Sequence, residues 1–140
     1  MDFHEGQKAK RSTTVTAGHV EMYAQLTGDR NPLHFNEEFA AGTKFGRLVA
    51  QGGITTGLLH ALVANDIPGP GTVFLNQNWQ FTVPVYIGDT ITAEVEVLEV
   101  HPKKPVTHLG VRVRQQDGET VLEGDAWCYT FSPEAGWKLD

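Results

Sequence analysis

Asp29, Asn31 and His34 stand close together in the run Thr27-Gly28-Asp29-Arg30-Asn31-Pro32-Leu33-His34. A carboxylate and an imidazole form a usable acid/base pair. Five residues apart, they would face different ways on a helix, but across a turn containing Pro32 they can meet on one water molecule. Asn31 between them offers a donor and an acceptor to orient the side chains or the local backbone. Asp, Asn and Pro after a helix are also ordinary turn chemistry, so residue types and spacing leave both readings open. A second candidate is Gln51-Gly52-Gly53, directly before an apolar helical run. The unpaired N–H groups of such a helix start form the positive end of its dipole and can hold a carbonyl oxygen as it becomes an enolate. The same glycines equally suit close packing under a water-capped loop.

The elements that must position these residues are visible as patterns. Thr16 is a predicted N-cap, Val20, Tyr23, Ala24 and Thr27 follow at helical spacing, and Gly28 falls where a left-handed cap ends the helix. Pro32 then bars helical continuation through Asn31, which predicts a tight irregular segment ending at His34. From Gly52 to Asn65 the chain is apolar on nearly every side of a helical wheel except Thr55, Thr56 and His60, which predicts a buried helix. Ile67-Pro68-Gly69-Pro70-Gly71 breaks it. Thr72 to Leu75 and Trp79 to Val83 read as two strands joined by Asn76 to Asn78, and Val85 to Ile87 precede a Gly88-Asp89 turn.

Beyond Thr90 the period is two: Ile91, Ala93, Val95 and Val97 share one face, and adjoining Val97 and Leu98 predict a bulge. Val106 to Arg114 alternates likewise, and Asp117-Gly118 turns the chain into Thr120 to Phe131. These runs form an antiparallel meander. On the last strand Leu122, Gly124, Ala126 and Cys128 share a face whose small residues let another element approach, taken here to be the apolar helix. The predicted class is α+β, a curved antiparallel sheet wrapped around a central helix, the hot-dog fold.

Composition excludes several functions. With 17 acidic against 11 basic residues, a net charge of -6 and no basic run beyond Lys8, Lys10 and Arg11, nothing offers a footprint for nucleic acid. The single Cys128 can form neither an internal disulfide nor a zinc cluster, which fits a reducing cytoplasm. The apolar stretch near Leu58 to Ala64 contains His60 and is too short for a bilayer. No linker or repeat divides residues 1–140, so one domain is expected, with the charged first ten residues as a frayed arm.

The run from Thr27 to His34 resembles the hydratase 2 motif of the MaoC-like family, which includes bacterial (R)-specific enoyl-CoA hydratases and related acyl-thioester dehydratases. Phe35 to Ala41, Phe45-Gly46-Arg47, Gly52, Gly71 to Phe81, Pro84-Val85 and Gly88-Asp89 are similar to family segments in the same order. The resemblance implies that Asp29 takes a proton from water and that His34 holds and polarises that water. It further implies that Asn31 supports the pair and that the Gly52 N–H binds the thioester oxygen.

The implied reaction is syn addition of water to a trans-2-enoyl thioester of CoA or acyl carrier protein, giving the (R)-3-hydroxyacyl product, or the reverse. It needs no cofactor and no metal, and the implied assembly is a homodimer joined sheet edge to sheet edge. Many members carry His-Gly-Met where this chain has Gln51-Gly52-Gly53, so the backbone donor is kept while a side chain bordering the acyl pocket changes. Leu75, Phe81 and Val85 either line an acyl tunnel or are plain core. His19, His60 and His108, without a paired carboxylate, read as structural. Lys44 and Arg47 either meet carrier phosphates or are merely solvated. Within the same fold the alternatives are an acyl-CoA thioesterase and a non-catalytic acyl-thioester-binding module, and the Asp29/Asn31/His34 set favours water addition over both.

Overall fold

The computed structural model describes residues 4–132. In chain order these form β1 (Lys8–Thr14), α1 (Ala17–Thr27), α2 (Pro32–Phe35), α3 (Glu37–Ala41), α4 (Gly52–Asn65), β2 (Thr72–Phe81), β3 (Thr90–Val100), β4 (Val106–Gln115) and β5 (Thr120–Thr130). The strands make one antiparallel sheet in the order β1-β3-β4-β5-β2. Helix α4 packs chiefly over β3 and β1, with α1 against it. This is the expected hot-dog arrangement.

The period-two runs behave as read. Ile91, Ala93, Val95 and Val97 are wholly buried, with Leu109, Val113, Leu122, Ala126 and Cys128 of the neighbouring strands. The register slips between Val97 and Glu99, where the adjoining apolar pair predicts a bulge. Leu59, Leu62 and Val63 of α4 close the core from the other side.

Four expectations are corrected. From Gly6 onward the segment expected as a frayed arm is ordered in the sheet: Lys8 to Thr14 pair with β3 from Glu96 to Thr90, and Gly6 and Gln7 extend the ladder to Val97. Residues 1–3 of that segment lie outside the described residues. An edge strand is held by backbone hydrogen bonds, and of its less exposed side chains Ala9, Arg11 and Thr13 only Ala9 is apolar, too little for a period-two hydrophobic signal.

Helix α4 is not buried all round. Thr55, Leu59, Leu62 and Val63 are buried, whereas Gly52, Gly57, His60 and Ala64 face outward, because sheet and α1 cover only part of its circumference. Residues 72–81 form one strand, not two, with a register shift between Phe74 and Asn76. The Asn76 side-chain oxygen accepts the Trp127 N–H at 3.2 Å, so a residue read as a turn former acts inside the ladder.

Finally, Gly124 is small for β2 rather than for the helix. A Cβ there would lie 2.0 Å from the Asn78 carbonyl oxygen.

Burial pushes the Cys128 thiol up from its ordinary 9.0 to about 12. Folded protein should therefore resist iodoacetamide at pH 8, and urea should expose the thiol. Above pH 9 the unfolded chain loses this proton while the folded chain keeps it, so stability falls as pH rises toward 12. Urea unfolding at pH 8 and pH 10 checks this, and Cys128→Ala should flatten the difference.

Candidate active site

Helix α1 delivers Asp29. The Thr16 hydroxyl accepts the His19 N–H and the His19 ring accepts the Thr16 N–H, closing a capping box. At the other end Gly28 is left-handed, with φ 82°, and its N–H bonds Ala24. Thr27 donates its hydroxyl to the Tyr23 carbonyl and accepts the Asp29 N–H at 3.1 Å, which fixes the carboxylate-bearing residue just beyond the helix.

The expected irregular segment is in fact one helical turn, α2. Pro32 occupies its start, where a missing N–H costs nothing, and the Asn31 side-chain oxygen caps it by accepting the Leu33 N–H at 3.0 Å. Asn31 also donates its own N–H to Asp29 Oδ1 at 3.3 Å. It thus orients both neighbours through cap and turn bonds.

The turn carries His34 into a buried position, where Nδ1 lies 2.7 Å from the Val49 carbonyl oxygen. Val49 returns the bond by donating its N–H to Leu33 at 3.1 Å. A carbonyl oxygen only accepts, so Nδ1 carries the hydrogen, which in the uncharged form of the ring leaves the lone pair at Nε2. That Nε2 is 3.9 Å from Asp29 Oδ1. The His34 side chain is 10% exposed and that of Asp29 40%. The distance is too long for a direct hydrogen bond. Two acceptors at this separation suit one water that donates a hydrogen to each, at an apex angle of about 90° for ordinary bond lengths. The water's lone pairs then stay free to attack.

The strand-like stretch before α4 joins this pair to the helix start. Val49 bridges Tyr86, and Ala50 donates to Val85 at 2.8 Å. Gln51 follows at 1% exposure, and its side-chain nitrogen donates to the Val20 carbonyl at 3.0 Å, pinning α4 to α1. It gives α4 no side-chain cap. Among the described residues the Gly52 and Gly53 N–H groups have no hydrogen-bond partner, as expected of a helix beginning.

The two glycines have distinct surroundings. A Cβ at Gly52 would stand 3.0 Å from the Phe81 ring, and one at Gly53 only 1.8 Å from the Tyr23 hydroxyl. Tyr23 therefore occupies the space that a side chain at position 53 would need, which accounts for glycine there in place of methionine. Tyr23 and the Val49 carbonyl are the two contributors the sequence reading missed. Gly53 was the one available signal for the first; a backbone acceptor leaves none for the second.

The remaining candidates separate. Val85 is core, whereas Leu75 and Phe81 are exposed, Phe81 beside Gly52. His60 packs on Phe74 and Trp79, and its partial burial holds the imidazole below its ordinary range, matching its role as acceptor from the Gln77 amide at 3.0 Å. His108 does have a carboxylate, contrary to the reading: Asp125 Oδ2 lies 2.6 Å from Nε2, and the ring stacks on Trp127. Adjacent strands supply that partner, which linear spacing does not show. Among the described residues no group of three or more His, Cys, Asp or Glu side chains is arranged to hold a metal ion. No helix of the described chain is long and apolar enough to cross a membrane.

The MaoC like domain model matches residues 2–130. The chain belongs to the MaoC-like family. It is similar to the (R)-specific enoyl-CoA hydratase of Aeromonas caviae, with 39% identity over 121 residues, 86% of this chain and 90% of that protein. It is also similar to the 3-hydroxybutyryl-CoA dehydratase of Methylorubrum extorquens, with 41% identity over 112 residues, 80% of this chain and 71% of the relative. Among solved structures, the A. caviae (R)-hydratase involved in PHA biosynthesis superposes with a TM-score of 0.88 at 36% identity, covering 92% of this chain and 98% of its own. In this MaoC-like chain Asp29, Asn31 and His34 are thus held by a cap, a single helical turn and one backbone carbonyl.

Proposed function

We propose that this MaoC-like protein is an (R)-specific enoyl-CoA hydratase, adding water reversibly to a trans-2-enoyl thioester. The observation that carries the reading is the pair of acceptors, Asp29 Oδ1 and His34 Nε2, 3.9 Å apart with His34 Nδ1 committed to Val49. The relatives named for enoyl-CoA hydration and 3-hydroxybutyryl-CoA dehydration support it.

In the forward direction the water bound between the pair loses one proton to the Asp29 carboxylate as its oxygen bonds the β-carbon. The electron pair of the double bond moves to the thioester oxygen, where the Gly52 N–H stabilises the enolate at the positive end of α4. Collapse of the enolate returns a proton to the α-carbon from the same face, through Asp29 or, after transfer within the pair, through His34. One set of groups on one face makes the addition syn. The thioester acidifies the α-carbon, so the step needs no further reagent. Asn31 acts as a positioning residue through its two bonds.

The same reading takes the working unit as a homodimer joined along β2. That strand has an unpaired edge, and its Val73, Leu75 and Phe81 are 43%, 47% and 59% exposed, the kind of edge that pairing removes. A cytoplasmic location fits the single buried thiol.

Purified protein mixed with crotonyl-CoA should bleach the conjugated enoyl-thioester absorbance without releasing free thiol, and the product should be the (R)-3-hydroxybutyryl ester. Thiol release would replace this reading with a thioesterase, and binding without either signal with a non-catalytic module.

A further inference from the structure

Tyr23 touches both halves of the candidate site. Its backbone carbonyl accepts the Thr27 hydroxyl at 2.8 Å, and that hydroxyl in turn accepts the Asp29 N–H. Its side chain reaches the other half, where the phenol hydroxyl occupies the place a Cβ at Gly53 would take and so rests against the bare backbone of the first turn of α4. One residue of α1 thus ties the carboxylate by its main chain and covers the helix start by its side chain.

The hydroxyl itself is uncommitted. Among the described residues it makes no hydrogen bond, although Tyr23 is half-buried. A tyrosine in such surroundings usually pairs its O–H. Tyr86 shows the ordinary case in this chain, donating its hydroxyl to the Phe45 carbonyl at 3.0 Å. Packing accounts for the Tyr23 ring but not for its oxygen, because Cζ and Cε2 of the ring crowd the same point over Gly53 and a bare phenyl would fill the space. Tyr23 and Gly53 also border a groove of about 700 Å³ between α1, α4 and β1. Their contact therefore lies at a surface open to a bound molecule.

Beside the hydroxyl is the positive end of α4, where the Gly52 and Gly53 N–H groups have no partner among the described residues. A carbonyl oxygen held there gains negative charge as the enolate forms, and a donor already wedged in position responds to that charge without reorganising. We propose that Tyr23 is a further catalytic residue, whose hydroxyl donates to the thioester oxygen beside the Gly52 N–H. The hydroxyl keeps its proton throughout, and the proton transfers stay with Asp29 and His34. The proposal rests on the hydratase reading above and adds a side-chain donor to its oxyanion site.

The test is Tyr23→Phe, which removes the hydroxyl alone and leaves both the ring over Gly53 and the backbone bond to Thr27 in place. With crotonyl-CoA, kcat should fall about 10²-fold, the usual cost of losing one oxyanion donor, while KM stays within about twofold. The urea midpoint should match wild type, because the hydroxyl has no partner among the described residues to lose. A second readout needs no turnover. A donor on the carbonyl oxygen draws charge from the conjugated double bond and moves the enoyl absorbance to longer wavelength. Crotonyl-CoA bound to Asp29→Asn should show this red shift in stopped flow, and the Asp29→Asn/Tyr23→Phe protein should show a smaller one. An unchanged kcat, or a lower kcat with an unchanged red shift, overturns the role of Tyr23 and leaves the hydratase reading standing. Wild type that binds crotonyl-CoA without converting it overturns the hydratase reading instead, and the red shift still decides the donor. Wild type that does not bind it overturns both.

Discussion

Asp29→Asn should lower crotonyl-CoA hydration by two or more orders of magnitude, and His34→Ala by a similar factor, within the roughly 10²- to 10⁴-fold range for loss of a general acid or base. Asparagine keeps the shape and an oxygen for the Asn31 N–H now bound by Asp29, so the turn survives while the proton acceptor is lost. In His34→Ala the Val49 carbonyl loses the ring N–H it accepts, and the water loses one of its two anchors. Because both residues act on the same water, the double variant should fall little further than the worse single one. Stopped-flow or steady-state loss of enoyl absorbance, beside circular dichroism to establish the fold, makes the measurement. Near-normal rates in both single variants would sink the mechanism.

How far these residues can be read without coordinates depends on what holds them. The α1 boundaries are legible because both ends are local chemistry: Thr16 caps, and Gly28 takes the left-handed conformation that ends the helix. The buried faces of β3 and β4 are legible because alternation is also local. Contributions made across the sheet are not. β1 lies at an edge, where backbone pairing replaces apolar side chains, and Asp125 reaches His108 only because β4 and β5 are neighbours. Asn76 to Asn78 have turn composition, yet long-range pairing with β5 overrides it.

The candidate site divides in the same way. Types and spacing at Asp29, Asn31, His34 and Gly52 leave ordinary turn chemistry open, and it is the motif they resemble that singles them out; their local turn follows from Asn31 capping α2. What orients the imidazole is the Val49 carbonyl, fifteen residues away and without a side-chain signature. The Tyr23 hydroxyl over Gly53 is a pairwise fit between two helices, and only the unusual glycine hints at it.

The largest expected loss of stability comes from Gly124→Ala. A Cβ at this position would lie 2.0 Å from the Asn78 oxygen and 2.9 Å from the Trp79 Cα, and both are backbone atoms that no rotamer change can move. Strands β5 and β2 would have to part along a ladder running from Thr72 to Phe81. Overpacking of this kind typically costs about 1 to 3 kcal/mol and more where the backbone must yield, so a loss of about 3 kcal/mol is expected, read as a lower urea midpoint. Gly110→Ala is the control on the adjacent strand: its nearest neighbours are Cδ1, Cδ2 and Cγ of the exposed Leu98 side chain at 3.3 to 3.5 Å, and that side chain can swing aside. Its midpoint should stay close to wild type. Equal midpoints for the two variants would mean that β2 is held loosely enough to move, and a loose β2 could not keep Phe81 beside Gly52. Rigidity of this strand pair is therefore a condition for the site, and the Gly124 variant measures it independently of the chemistry.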